Sequence, residues 1–159
     1  MTIPLYDSIT AGLHGLYERA WDSHGMLVLD LAPGRLVEVV ERLKDEHGFA
    51  LFLDVTAIDW LGRREPRFEV VYHFLCPARM RRIRLKVPLA EEAPVLPTLT
   101  GLYGSARFME REVHEMYGVR FDGNDDLRPI LLYEGFEGHP LRKDYPVGVI
   151  PVQFKGTPN

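Results

Sequence analysis

Apolar and polar positions repeat along this chain with two different periods, and the change of period marks the elements. Ile9, Leu13, Leu16, Tyr17 and Ala20 share one helical face, which predicts a helix over 9–20. MLVLDL at 26–31 is a short apolar run of the kind a buried strand needs. Pro33 suits the first turn of a second helix, and Leu36, Val39, Val40 and Leu43 follow at i, i+3, i+4 and i+7. Lys44 and His47 suit its carboxyl end, and Gly48 a left-handed cap.

The period then shortens to two. FALFLDVTAIDW (49–60) is rich in strand formers, and LGRREP after it makes a turn. RFEVVYHFLC (67–76) is apolar on both faces, as an interior strand should be. RIRLKVP (82–88) alternates, with Ile83, Leu85 and Val87 inward and Arg82, Arg84 and Lys86 outward. Three consecutive strands predict an antiparallel meander, and the basic stripe reads as one solvated strand face.

Helical spacing returns after a Pro-punctuated stretch. Ser105 is placed to cap a helix whose apolar positions are Ala106, Met109, Val113, Met116 and Tyr117, and Gly118 ends it. At 100° per residue Glu110 and Glu112 fall on opposite borders of that stripe, roughly 160° apart, while Arg111, His114 and Glu115 point away from it. Residues 118–159 are dense in glycine and proline, so regular structure should be short there, confined to LRPILLY (127–133). Leu141, Tyr145, Val147, Ile150, Val152 and Phe154 nevertheless make the segment too apolar for a free tail. The expected fold is α/β in the α+β, two-layer sense: a mixed, largely antiparallel sheet with helices on one face and an extended irregular C-terminal tail. The domain reading is a core over 1–133, with the signature helix at 105–118, and a docking segment over 134–159.

Composition narrows the chemistry. The chain has 159 residues, 46% apolar and 26% charged, with a net charge of −4. These values suit one soluble domain and argue against phosphate neutralisation of a nucleic acid. The longest uncharged run, Ala93 to Ala106, is too short and too broken by Pro and Gly to span a membrane. Cys76 is the only cysteine, which excludes a disulfide framework, a Cys-based zinc site and a four-thiolate cluster. It lies in an apolar run and reads as a buried thiol. His114-Glu115 is followed by Gly118 where the zinc-protease spacing needs histidine, and no phosphate-binding glycine motif is present. Glu110 and Glu112 cannot converge on one substrate, so an acid–base pair is rejected. The charges of this helix read as salt-bridging and capping groups, Glu110 and Glu112 pairing with basic groups such as Arg128 or Arg142, or with a partner.

One resemblance is specific. A106-R-F-M-E-R-E-V-H-E-M-Y-G-V-R-F-D-G123, D126-L-R-P-I-L-L132 and E134-G-F-E-G-H-P-L-R-K-D-Y-P146 resemble the C-type subunit of the proton-pumping NADH:quinone oxidoreductase, respiratory complex I. P97-T-L-T-G-L-Y103 looks like the same family's approach to its signature helix. The sequence departs from the pattern at Phe108 (commonly Trp), Asn124-Asp125 (His-Pro), Glu115 (Asp) and Pro129 (Arg).

The resemblance implies a subunit without a redox centre in the hydrophilic arm, peripheral on the cytoplasmic side of the cell inner membrane and attached only through the complex. Its implied partners are the large quinone-site subunit and the iron–sulfur subunits. NADH, FMN, iron–sulfur clusters and quinone would then belong to the assembly, with no cofactor and no catalytic residue in this chain. The implied signature and interface positions are Glu110, Arg111, Glu112, Tyr117, Gly118, Arg128, Pro140, Leu141, Arg142, Lys143, Asp144, Tyr145 and Pro146. Two alternatives stay open: the equivalent subunit of a complex I-related membrane-bound hydrogenase, and an independent small enzyme using Glu112 and His114.

Overall fold

The computed structural model describes residues 4–146 and Gly148. Its element order is α1 (Pro4–Gly12), β1 (Arg19–Ser23), β2 (Met26–Asp30), α2 (Leu36–Asp45), β3 (Leu51–Asp59), β4 (Phe68–Cys76), β5 (Arg81–Leu89), β6 (Val95–Pro97), α3 (Ala106–Tyr117) and β7 (Arg120–Asp122). A single 3-10 turn, Pro33–Arg35, leads into α2, where proline's fixed φ is tolerated.

Five strands form a mixed sheet in the order β1-β2-β5-β4-β3. β3, β4 and β5 make the antiparallel meander that their alternation predicts, and β2 adds to β5 in parallel. Strand alternation divides the residues between two faces. Leu27, Leu29, Ile83, Leu85, Val87, Tyr72 and Phe74 share one buried cluster with Ile9 of α1 and with Leu36, Val39, Val40 and Leu43 of α2. Arg82, Arg84 and Lys86 take the intervening positions and face the other side. Phe52, Tyr72, Phe74 and Tyr103 pack with ring centroids 5.2–6.4 Å apart. The Tyr103 hydroxyl donates to Phe49 O at 2.7 Å and holds the approach to α3 against the core. Cys76 is buried at the end of β4.

Three local expectations are corrected. The helix expected over 9–20 ends at Gly12, and 19–23 form β1 instead. The hairpin to β2 turns on His24 and Gly25, both with positive φ (55° and 79°), as a two-residue turn requires. Leu16 and Tyr17 still pack on the core, which explains their helical-looking spacing. LRPILLY contains no regular element; the late strand is β7, paired in parallel with β6. Ser105 precedes α3 without a side-chain capping bond.

Candidate functional site: a clamp on the signature helix

α3 is amphipathic, but its buried side includes two carboxylates. Glu110 is fully buried and Glu115 is 6% exposed. Ionised groups persist there only when hydrogen-bonded.

Glu110 takes three donors and, among the described residues, no cation. One oxygen accepts the Leu99 N–H at 2.8 Å, and the other accepts Thr98 Oγ1 at 2.6 Å and Asn124 Nδ2 at 2.9 Å. It therefore ties the segment entering α3 to the loop leaving β7, and Asn124, a departure from the family pattern, is one of its ligands. Burial pushes its carboxyl up while these bonds pull it down. Within the chain, then, neither Glu110 nor Glu112 pairs with Arg128 or Arg142. Glu112 is exposed, and no ion pair to it is present among the described residues. Arg128 pairs with Asp126 at 2.8 Å instead.

Glu115 and Arg111, expected to point away, organise the next loop. Glu115 accepts the backbone N–H groups of Ile130, Leu131 and Leu132 at 3.3, 3.0 and 2.8 Å. Arg111 donates to the carbonyls of Arg128 and Pro129 at 2.9 and 3.0 Å and lies 3.4 Å from Asp126. One turn of α3 so holds both the donors and the acceptors of the 128–132 backbone. The loop needs no regular pairing because side chains replace it.

The H-P-L-R-K-D-Y signature completes the helix end. The last four carbonyls of a helix lack internal partners. Here the His114 carbonyl accepts from Gly118 N at 2.8 Å, and the Glu115, Met116 and Tyr117 carbonyls accept from His139 Nδ1, Leu141 N and Arg142 Nε at 2.9, 3.2 and 2.6 Å. The Arg142 guanidinium also lies over the Phe68 ring. Gly118 is required twice. Its φ is +75°, and a Cβ there would meet His139 Nε2 at 2.6 Å and the Arg142 guanidinium.

A second anchor follows. Arg67, 2% exposed, donates to both oxygens of Asp59 at 2.9 and 2.8 Å, to Asp144 at 3.0 and 2.8 Å, and to Glu91 at 2.5 Å. Lys143 N donates to Asp59 at 2.8 Å. Arg67 holds Asp59 and Asp144 below the usual carboxylate range. Phe136 stacks on Tyr145, whose hydroxyl donates to Glu137 O at 3.3 Å.

Of the expected signature residues, Glu110, Arg111, Gly118, Leu141, Arg142, Lys143 and Asp144 thus converge on this clamp. Residues 139–145, read as part of the docking segment, are bonded to the domain itself. Val147, Ile150, Pro151, Val152 and Phe154 lie outside the described residues. Sequence reasoning missed Asp59, Arg67 and Glu115. Asp59 and Arg67 bracket the β3–β4 turn at the ends of two apolar runs, the one signal that could have paired them.

Opposed to these satisfied groups are exposed apolar ones. Phe108, Leu131, Tyr133 and Leu141 are 56%, 62%, 59% and 52% exposed. No group of three His, Cys, Asp or Glu side chains among the described residues is placed to hold a metal ion. No helix among them is long and apolar enough to cross a membrane.

Fold and clamp together define a small mixed-sheet domain that holds an irregular segment rigidly at its surface. Residues 29–149 match the family described as respiratory-chain NADH dehydrogenase, 30 Kd subunit, and the chain belongs to that family. The C-type subunit of the NADH-quinone oxidoreductase of Phenylobacterium zucineum is 46% identical over 144 residues, covering 90% of this chain and 66% of that protein. This chain thus spans just under two thirds of that relative's length. Among solved structures, the trypsin-resistant fragment (1-134) of Nqo5 superposes with a TM-score of 0.67 at 33% identity, over 77% of this chain and 96% of that one. A chain of the membrane-bound sulfane sulfur reductase, an archaeal respiratory membrane complex, superposes with a TM-score of 0.77 at 25% identity, over 90% and 84%.

Proposed function

We propose that this chain is a structural subunit of the hydrophilic arm of an NADH:quinone oxidoreductase, seating the large quinone-site subunit against its clamped segment. It holds no cofactor itself. NADH, FMN, iron–sulfur clusters and quinone are handled by companion chains, and the arm lies on the cytoplasmic side of the membrane. The observation that carries this reading is the clamp: its polar groups are bonded inward while Leu131, Tyr133 and Leu141 are left facing out. A preordered loop with exposed apolar anchors loses little entropy on docking and suits a partner surface.

The relative's name supports NADH as donor at 46% identity. The fold itself does not discriminate donors, since the sulfane sulfur reductase chain superposes over 90% of this one. The hydrogenase alternative keeps the same clamp and changes only the companion, whose large subunit would carry nickel-binding cysteine pairs.

The test is purification of the tagged chain from its native membrane with identification of its companions by mass spectrometry. Companions bearing iron–sulfur cysteine motifs and an NADH-oxidising chain are expected. Leu131→Asp with Tyr133→Asp should abolish recovery of the large subunit without lowering the melting temperature of the isolated chain. A chain that purifies alone, or a double variant that keeps its companions, sinks the reading.

A further inference from the structure

Nine of the fifteen arginines are ion-paired with Asp or Glu among the described residues. Of the other six, Arg79, Arg81, Arg82 and Arg84 fall in one six-residue stretch, and Arg79, Arg81 and Arg82 are exposed. On a chain of net charge −4 this is a concentrated local excess of positive charge. Arg82 and Arg84 stand on the sheet face turned away from α1 and α2, and Arg79 and Arg81 flank them where β5 begins.

The surface there is concave. A depression of about 580 Å³ is lined by residues that include His24, Met80, Arg81, Arg82 and Arg84. A second, of about 420 Å³, shares Met26, Arg82 and Arg84 with it and continues across β4 and β3 past His73 and Asp54. Among the described residues, Asp54 is the only carboxylate lining either one. Arg84 is oriented by its Nε, which donates to His73 Nε2 at 2.8 Å. Met80, 76% exposed and with φ of +48°, sets an apolar side chain at the mouth.

We propose that this arginine-lined groove binds an extended acidic segment of a neighbouring protein subunit. Arg82 and Arg84 stand on one face two residues apart, so their repeat is roughly 7 Å. An extended peptide presents alternate side chains at the same repeat, and carboxylates at alternate positions would meet both guanidinium groups in the paired geometry arginine favours. A single inorganic anion would not span them. Met80 adds an apolar contact that a nucleic acid does not match, and the net negative charge opposes approach to an anionic membrane. The inference rests on the assembly reading only in that the partner is another subunit of the same complex. It concerns a surface separate from the clamp.

The experiment is photo-crosslinking in the intact complex, with a photoreactive amino acid at Met80 and a tag on this chain. The expected product is a crosslinked peptide from a companion protein with Asp or Glu at alternate positions. Arg81→Glu with Arg82→Glu should cut that product at least about tenfold, because like charges across an interface are strongly unfavourable. Arg63→Glu, at an exposed arginine outside the groove, should leave it unchanged. Companions recovered with no crosslink, with a lipid adduct, or with a peptide lacking acidic residues would overturn this inference alone. A chain recovered without companions sinks the assembly reading and this inference together.

Discussion

The two sides of this domain are held together by opposite means. Between the sheet and α1–α2 the contact is apolar, built from Ile9, Leu36, Val40, Leu43, Leu85 and Phe74, all fully buried. Where α3 and the β3–β4 turn meet residues 124–145 it is polar, built from Glu110, Glu115, Arg111, Arg142 and the Arg67 cluster. The apolar layer tolerates shifts in exact contact as long as volume is filled. The polar seam does not, because each buried donor or acceptor needs its own partner. The seam therefore fixes one conformation of an irregular segment, which an oily contact would leave loose. That rigidity suits the docking role proposed above.

The largest test sets one member of each side against the other. Arg67→Ala leaves Asp59 buried without its cation and should cost about 3–5 kcal/mol. Phe74→Ala should cost a similar amount through a core cavity. In a chain of this size either change should lower the melting temperature by roughly 10 °C. pH separates them. The folded pKa of Asp59 is depressed, so its contribution is fully present above the unfolded carboxylate value of about 3.9 and is lost as pH falls below it. The Arg67→Ala penalty should therefore shrink between pH 7 and pH 3, while the Phe74→Ala penalty stays nearly constant. Thermal melts of both variants at the two pH values decide it, and parallel behaviour would mean that charge does not hold the seam.

A smaller effect is expected at Glu115. Glu115→Ala strands three backbone N–H groups and should cost about 2–3 kcal/mol. Glu115→Gln, which keeps one acceptor oxygen, should recover part of that. Limited proteolysis should show the 128–132 loop cleaved faster in Glu115→Ala, and an unchanged cleavage rate would remove Glu115 from the clamp.

The smallest contrast lies within α3. Glu110→Gln turns an amide group toward donors and should cost about 1–2 kcal/mol. Glu112→Gln, on the exposed side, should stay within about 0.5 kcal/mol of the parent. Chemical denaturation of both variants measures the difference, and equal values would place the two carboxylates in the same environment.

The apolar side was legible in the sequence because a period is a repeated signal. Leu36, Val39, Val40 and Leu43, and separately Ile83, Leu85 and Val87, each announce a buried face several times over. The seam announces nothing repeatedly. Glu115 falls off the apolar stripe and is buried all the same, because residues 130–132 fold back over it. Arg67 reads as an ordinary turn charge until Asp144, 77 positions later, reaches it. β1 was missed because His24-Gly25 is a rarer hairpin turn than Asn-Gly, and Leu16 and Tyr17 imitate a helix. Family resemblance located the signature residues, but their roles as carbonyl caps and backbone ligands came only from their spatial partners.

The two halves of the Arg67 cluster differ sharply in sequence distance. Asp59 is 8 residues from Arg67, across one hairpin, whereas Asp144 is 77 residues away. Closing a longer loop costs more entropy and takes longer. The near pair therefore forms with the β3–β4 hairpin and stands as a half-filled socket until Asp144 arrives. During synthesis the signature segment would settle after the hairpin, into a site already charged and shaped for it. Refolding should accordingly show the sheet protected against hydrogen exchange before the amide of Lys143.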